Sequence, residues 1–240
     1  GVLHTHSTYS DGGASLKDMA TACREKGYEY LVISDHSQSA FYANGLSPDT
    51  IKKQHEEIDA LNEKLAPFKI FKSIESDILN DGRLDYDDAI LASFDLVIAS
   101  VHSNLKMNEE KAMERLLAAV RSPYTSILGH PTGRLLLSRH GYPVNHQALI
   151  DACARHDVVI ELNANPHRLD LDWTYIPYAM KKGVQIAINP DAHSIDGIDD
   201  IRYGVWAARK GGLVKQMTLN TLSRQAFEDF LQSQHQKRPS

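Results

Sequence analysis

Histidine and carboxylate residues follow the short apolar runs of this 240-residue sequence. His4 and His6 come directly after Val2 and Leu3, and a spacing of two places both side chains on one side of a strand. Six of the seven apolar runs end in such a residue, and Asp11 follows the first of them on a turn. The full set is His4, His6, Asp11, His36, Glu75, His102, His130, Asp191 and His193. Imidazole and carboxylate groups gathered in one place bind divalent metal ions.

Nine such ligands exceed the coordination number of one ion, which is about four to six. The set therefore suits two or three ions, with a carboxylate shared between them. Because the ligands are imidazole and carboxylate without thiolate, they favour Zn²⁺, Mn²⁺ or Fe²⁺. Clustered divalent ions hydrolyse phosphoesters by lowering the pKa of a bound water and by holding the attacking and leaving oxygens. Water would then be the nucleophile, and we assign no side chain as the catalytic group.

Amphipathic segments separate the apolar runs that carry these residues. The runs lie at 2–3, 30–33, 70–74, 96–101, 126–128, 158–162 and 185–188, and several are rich in Val and Ile, as buried parallel strands are. The segments between them have apolar residues at helical spacing, and Ser15, Ser47 and Ser223 are the predicted N-caps. Seven βα units predict an α/β fold, a closed barrel of parallel strands ringed by helices, whose strand ends meet on one rim. An open doubly wound sheet is the alternative.

Composition indicates one globular domain over residues 1–240. Hydrophobic residues make up 42% and charged residues 24%, and no run is long enough to span a membrane or to act as a signal peptide. Cys23 and Cys153 have no pairing motif, which is typical of a reducing, cytoplasmic setting. The net charge of −5 argues against a broad basic surface for nucleic acid, although bound cations would add positive charge.

The ligand pattern closely resembles that of the polymerase-and-histidinol-phosphatase (PHP) superfamily, metal-dependent phosphoesterases on a distorted (β/α)7 barrel. The resemblance implies three metal positions and distributes the nine residues among them. One position would use His4, His6, Glu75 and Asp191; a second would use Glu75, His102 and His130; and a third would use Asp11, His36 and His193. Glu75 would be the bridging ligand. All nine are present without substitution.

Several loop sequences narrow the resemblance to the C-terminal PHP domain of bacterial family X DNA polymerases. They are SDHSQS (34–39), ANGLSP (43–48), GHPTGR (129–134), LNANP (162–166), RLDLDW (168–173) and ARKGGL (208–213). The resemblance implies a 3′–5′ exonuclease or a related enzyme that processes DNA 3′ ends. In that family nucleotidyltransferase and helix-hairpin-helix domains precede this one. We therefore expect the 240 residues to be part of a longer polymerase.

Two arginines are candidates for binding the substrate phosphate. Arg134 follows the strand end that carries His130, and Arg168 follows the sixth strand, which has no predicted ligand. A guanidinium group matches phosphate oxygens with two parallel donors. The alternative is that each arginine pairs with a neighbouring acid such as Asp170 or Asp172.

Three polar residues are weaker candidates for the substrate site. Asn163 and Asn165 are predicted to orient phosphate or the metal ligands, and Ser103 to hydrogen-bond a ligand histidine. Tyr42 lies in a long loop, where it either stacks on a base or packs against the barrel rim. Asp35 lies off the strand-end pattern and is predicted to be structural or at the surface.

Three functions are compatible with these residues. The first is hydrolysis at a DNA 3′ end that is delivered by upstream polymerase domains. The second is a stand-alone phosphatase for a small phosphomonoester such as histidinol phosphate or a nucleotide, which the net negative charge favours. The third is a structural or metal-binding module, which the intact ligand set disfavours.

Overall fold

Six parallel β-strands form one sheet in the computed structural model, which describes residues 1–239. The strands are β1 (Tyr30–Ile33), β2 (Lys69–Asp77), β3 (Leu96–Ser100), β4 (Thr125–Leu128), β5 (Val159–Asn163) and β6 (Ile186–Asn189). They lie side by side in chain order, and every neighbouring pair is parallel. A doubly wound sheet would reverse its order at a switch point. The doubly wound alternative is therefore wrong, and the parallel α/β architecture is confirmed.

Residues 2–6, here called the N-terminal segment, pair irregularly with the first strand. Val32 N donates to Val2 O at 2.8 Å, and Ser34 N donates to Thr5 O at 2.9 Å. Between these two bonds the segment advances by three residues while the neighbouring chain advances by two. Such a mismatch interrupts a ladder in the manner of a β-bulge. The segment therefore forms isolated bridges where the sequence predicted a first strand.

The same segment also pairs with the chain beyond the last strand. His6 N donates to Ala192 O at 2.9 Å, and Thr5 forms a parallel bridge with Ala192. Because one segment contacts both edges of the sheet, the sheet must curl until those edges approach each other. The described residues thus form six strands joined by this segment, and the predicted count of seven strands is not confirmed.

Helices surround the curled sheet. They are α1 (Leu16–Glu25), α2 (Pro48–Leu65), α3 (Asp88–Leu91), α4 (Glu109–Arg121), α5 (His146–His156), α6 (Ile176–Lys181), α7 (Ile201–Lys210) and α8 (Arg224–His235). Ser15, Ser47 and Ser223 each accept a hydrogen bond from the backbone N–H three residues later, which confirms the predicted N-caps. Within residues 1–239 no helix is both long and apolar enough to cross a membrane.

Helix α8 covers the end of the sheet where the strands begin. Its Phe227 is fully buried and stacks on Tyr30, the first residue of β1, with a ring-centroid distance of 4.6 Å. Phe71 meets the same phenylalanine ring edge-on at 5.1 Å. Apolar packing against α8 thus covers β1 and β2 near their amino ends.

Arg115 on α4 fixes the loop that follows β3. The side chain is 1% exposed, and its Nε donates to Ile78 O at 3.0 Å and to Leu79 O at 2.9 Å. Its Nη1 donates to Ser103 O at 2.8 Å. One buried guanidinium group therefore joins the end of β2 to the loop that carries His102.

Replacing Arg115 with Met should lower the free energy of unfolding by about 2–4 kcal/mol, because buried carbonyl groups lose their donor. Urea unfolding followed by circular dichroism measures the change. Arg121→Met, at the exposed last residue of the same helix, is the control and should change stability by at most about 0.5 kcal/mol. Equal midpoints for the two variants would contradict this role for Arg115.

Candidate metal centre

The chain gathers its histidines and acids at the carboxyl end of the sheet. Residues of or just after five strands contribute, together with residues of the N-terminal segment and of the turn after it. Parallel strands direct their carboxyl ends to one rim, so residues far apart in sequence become neighbours there. Glu75 is an exception to the strand-end pattern, because it lies inside β2, two residues before its end.

The structure brings all nine predicted ligands together. Three groups have potential ligand atoms that all lie within 4.8 Å of one another. The groups are His4, His6, Glu75 and Asp191; His6, Asp11, His36 and His193; and His36, Glu75 and His102. His130 joins them through its Nε2, 3.0 Å from Glu75 Oε1. The first group equals the first set that the resemblance implied. The other two differ from the implied sets: His6 joins Asp11, His36 and His193, and His36 stands beside Glu75 and His102 in place of His130.

Several buried polar atoms at this centre have no hydrogen-bond partner within residues 1–239, among them His4 Nε2, His6 Nδ1 and Glu75 Oε2. Leaving buried polar atoms unpaired is unfavourable, so such atoms indicate a missing ligand. His4 Nε2 lies 3.4 Å from Glu75 Oε1 and 3.5 Å from Asp191 Oδ1. Atoms bound to one Zn²⁺ at about 2.1 Å are separated by a similar distance, roughly 3–3.5 Å. The residues present therefore fit divalent metal ions.

Glu75 is the carboxylate around which the histidines are arranged, and it is fully buried. Its Oε1 is 3.2 Å from His102 Nε2, and its Oε2 is 3.0 Å from His36 Nδ1. Burial favours the neutral acid, but the charges of His102, His4 and His36 outweigh burial and hold the pKa of Glu75 well below its ordinary value. The charged carboxylate thus faces more than one group of ligands, as a bridging ligand must.

Glu161 on β5 contacts the predicted ligand His4 at the ring nitrogen that faces away from Glu75. Its Oε2 is 2.7 Å from His4 Nδ1, and its Oε1 accepts a hydrogen bond from the backbone N–H of His130 at 3.0 Å. Burial opposes charge on His4, but Glu161 and two further carboxylates raise the pKa of His4 well above its ordinary value. A carboxylate on the far nitrogen fixes the orientation of a ligand imidazole.

Asp77 has the same relation to His102, whose Nδ1 contacts Asp77 Oδ1. Burial lowers the pKa of His102, but Glu75 and Asp77 outweigh burial and raise it to about 10. Neither Asp77 nor Glu161 was predicted as a site residue. Two signals could have found them: Asp77 lies two residues after Glu75, and Glu161 interrupts an otherwise apolar run.

Asp35 shapes the turn that carries Asp11. It is fully buried and accepts hydrogen bonds from Ser7 N at 2.7 Å and from the hydroxyl groups of Ser7 and Ser10 at 2.6 and 2.5 Å. The side-chain amide of Gln54 also donates to Asp35, at 2.6 Å. Of the two predictions for this residue, the structural role is confirmed and the surface position is wrong.

The two candidate arginines differ in their surroundings. Arg134 donates to the carbonyl groups of Arg168 and Leu169 and pairs with Asp172 at 2.9 Å, so its donors already hold the 168–172 loop. This is the pairing that the sequence offered as an alternative to phosphate binding. Arg168 instead extends towards the ligands, with its Nε 3.7 Å from Asp191 Oδ2. Its side chain is 19% exposed and borders the centre.

The three weaker candidates have separate roles. Asn163 donates to Asp191 Oδ2 at 3.0 Å and thereby orients a predicted ligand. Asn165 caps its own loop, because its side-chain oxygen accepts a hydrogen bond from His167 N at 2.9 Å. The Ser103 hydroxyl lies 3.4 Å from Arg115 Nη2, so its hydrogen-bond partner is an arginine and not the predicted histidine.

Tyr42 lies beside the centre without being packed into it. Its ring is 69% exposed, and its centroid is 6.3 Å from that of His36. The exposure is inconsistent with packing against the barrel rim.

Replacing Glu161 with Gln should weaken metal binding about 10-fold to 100-fold, because the near-isosteric amide no longer fixes the His4 imidazole with a charge. Titration with Zn²⁺ against a competing chelator measures the affinity. Glu63→Gln, an exposed position on α2, is the control and should bind as the unmodified chain does. Unchanged affinity in Glu161→Gln would show that the Glu161–His4 contact does not support a metal ligand.

One curated relative is similar over nearly the whole chain. It is the DNA polymerase/3′-5′ exonuclease PolX of Bacillus subtilis strain 168, which is 47% identical over 231 residues. The alignment covers 96% of this chain, which spans 40% of the length of the Bacillus protein. A second relative, a protein of Thermoanaerobacter sp. strain X514 named "probable phosphatase", is 25% identical over 92% of this chain and 90% of its own length.

A solved structure has the same fold. The histidinol phosphate phosphatase of Lactococcus lactis subsp. lactis Il1403, in complex with zinc, L-histidinol and phosphate, superposes with a TM-score of 0.66 at 19% sequence identity. The match covers 89% of this chain and 94% of that one. A sequence model of the PHP domain matches residues 3–165, more than half of the chain. This chain therefore belongs to the PHP domain family.

Proposed function

We propose that this chain hydrolyses phosphate esters with two to three bound divalent ions, and that its substrate is the 3′ end of DNA. The convergence of nine histidine and carboxylate side chains, with buried Glu75 among them, carries the proposal of phosphoester hydrolysis. The 47% identity to PolX supports DNA as the substrate. In this reaction a water oxygen bonds to phosphorus, and the bond from phosphorus to the 3′ oxygen of the preceding nucleotide breaks. That 3′ oxygen takes up a proton of the water, so the products are a nucleoside 5′-monophosphate and a shortened strand with a free 3′ hydroxyl.

Zn²⁺, Mn²⁺ or Fe²⁺ would be held by the nine ligands described above. Such ions supply Lewis acidity and make water a stronger nucleophile at neutral pH. The chain's own residues orient the components: Glu161 and Asp77 fix two ligand imidazoles, and Asn163 fixes Asp191. Arg168, whose Nε lies 3.7 Å from Asp191 Oδ2, would bind the phosphate oxygens, and Arg134 holds the loop on which Arg168 lies.

The relation to a longer protein is part of the same proposal. The Bacillus relative is more than twice as long as this chain, and its name includes both a polymerase and an exonuclease activity. We infer that this PHP domain acts together with polymerase domains that bring the DNA end to it. Because phosphate contacts dominate affinity for DNA, a domain with a net charge of −5 gains most from partners that bind the duplex.

A stand-alone phosphatase for a small phosphomonoester is the second candidate. The alignment to the Thermoanaerobacter protein named "probable phosphatase" covers 90% of that protein, so a relative of nearly the same length exists. The acidic net charge also favours a small substrate over DNA. The higher identity to PolX favours the first candidate.

Replacing Glu75 with Ala should remove two bound ions together, because this carboxylate faces more than one ligand group. The unmodified chain, loaded with metal and desalted, should retain two to three equivalents by elemental analysis. Asp59→Ala, at an exposed carboxylate on α2, should retain the same number as the unmodified chain. A single equivalent or none in the unmodified chain would contradict a multi-metal centre.

A comparison of substrates tests the reaction. With added Mn²⁺, an oligonucleotide labelled near its 5′ end should be shortened from the 3′ end, with release of nucleoside 5′-monophosphates. Histidinol phosphate and a free mononucleotide are assayed beside it. Rapid hydrolysis of either small ester with an intact DNA end would support the second candidate and contradict the first.

Replacing Arg168 with Ala should lower the rate about 10-fold to 1,000-fold at saturating metal, the range typical of removing one donor that stabilises charge in the transition state. Thermal stability should stay close to that of Arg155→Ala, an exposed position on α5. Arg134→Ala should instead lower the melting temperature, because it releases the 168–172 loop. A rate loss confined to Arg134→Ala would reverse these two assignments.

A further inference from the structure

The loop from residue 37 to residue 46 is held rigidly beside the metal centre. Ser37 N donates to Glu75 O at 3.1 Å, and Leu46 N donates to His36 O at 2.9 Å, so both ends of the loop are joined to the centre. A side chain at Gly45 would place its Cβ 1.8 Å from the carbonyl oxygen of Ser37. Only glycine permits this close approach, which closes the loop on itself.

Contacts from a neighbouring segment, Asp85 and Tyr86, hold the two flanks of this loop. The Tyr86 hydroxyl accepts a hydrogen bond from Gln38 N at 3.0 Å, and Asp85 Oδ2 accepts one from Ser39 N at 2.7 Å. Tyr86 also donates to Leu46 O. These contacts hold both flanks of the loop, on either side of its tip.

That tip consists of two adjacent exposed aromatic residues. Phe41 is 87% exposed and Tyr42 is 69% exposed, although aromatic side chains gain stability from burial. The residues from 37 to 46 include no lysine or arginine, so the loop cannot bind phosphate through a cationic side chain. The exposed rings of Phe41 and Tyr42 are instead suited to stacking on a flat, uncharged ring of a ligand.

Tyr42 lies close to the metal centre at which the proposed reaction takes place. Its ring centroid lies 6.3 Å from that of His36, a predicted metal ligand. Arg168 reaches the same centre, because its Nε lies 3.7 Å from Oδ2 of Asp191, another predicted ligand. The aromatic tip and the proposed phosphate-binding arginine thus both border the centre.

We propose that Phe41 and Tyr42 form a stacking platform for the nucleobase of the 3′-terminal nucleotide, whose 5′ phosphate lies at the metal centre. This inference rests on the proposed function and names the part of the substrate that the loop recognises. One sugar joins the base to that phosphate, so a base bound at the loop tip places the phosphate beside it. Stacking accepts every base, because each has a π face, so the platform selects nucleotides without selecting sequence.

The experiment compares two oligonucleotides that differ only in the terminal nucleotide, one with a normal base and one abasic. The intact chain should hydrolyse the normal end about 5-fold to 100-fold more efficiently, the range that corresponds to stacking of one base. Tyr42→Leu and Phe41→Leu should reduce this ratio, mainly through a higher KM, whereas Tyr42→Phe should preserve it. Trp206→Leu, at an exposed aromatic residue on α7, is the matched control and should leave the ratio unchanged.

A second measurement follows binding without turnover. A 3′-terminal 2-aminopurine on an oligonucleotide with a phosphorothioate terminal linkage should lose fluorescence on binding to the intact chain and to Tyr42→Phe. It should lose less with Tyr42→Leu. Equal hydrolysis of normal and abasic ends, together with unchanged quenching in Tyr42→Leu, would overturn the platform and leave the proposed function intact. If the intact chain cleaves neither oligonucleotide but hydrolyses small phosphomonoesters, the proposed function itself is wrong.

Discussion

The negative charge of fully buried Glu75 has to be stabilised, and much of the architecture of the site follows from that requirement. An isolated buried carboxylate would take up a proton, because desolvation disfavours its charged form. Histidines from several strand ends surround Glu75 and reverse this tendency. Ligand histidines must be neutral when they bind an ion, so bound cations take over the compensation that protonated imidazoles otherwise provide.

Behind these histidines lies a second set of acids, Glu161 and Asp77. Each contacts the ring nitrogen that faces away from Glu75, so His4 and His102 are each held between two carboxylates. This arrangement leaves each ring little rotational freedom. A preorganised site does not have to order its ligands when an ion arrives, and the entropy loss on binding is smaller.

The sequence was sufficient to predict the parallel architecture and the neighbourhood of the nine candidate ligands. Both depend on local patterns, because apolar runs define strands and the carboxyl ends of parallel strands meet on one rim. Glu161 and Asp77 were not predicted, because their contacts with His4 and His102 depend on which parts of the chain lie side by side in the folded protein. Arg134 and Arg168 had the same prediction from sequence, and only their three-dimensional contacts separate them. The bulge in the N-terminal segment likewise depends on two sheet edges at once.

That segment would couple ion binding to the junction between the two edges of the sheet. His4 and His6 lie on a stretch that hydrogen-bonds both β1 and the chain after β6. His4, His6, Glu75 and Asp191 would hold an ion between them, and such an ion would cross-link the two edges of the sheet. By thermodynamic linkage, the free energy of opening this junction rises with the concentration of free metal. Amide hydrogens of residues 2–6 would then exchange with solvent more slowly in the metal-loaded protein.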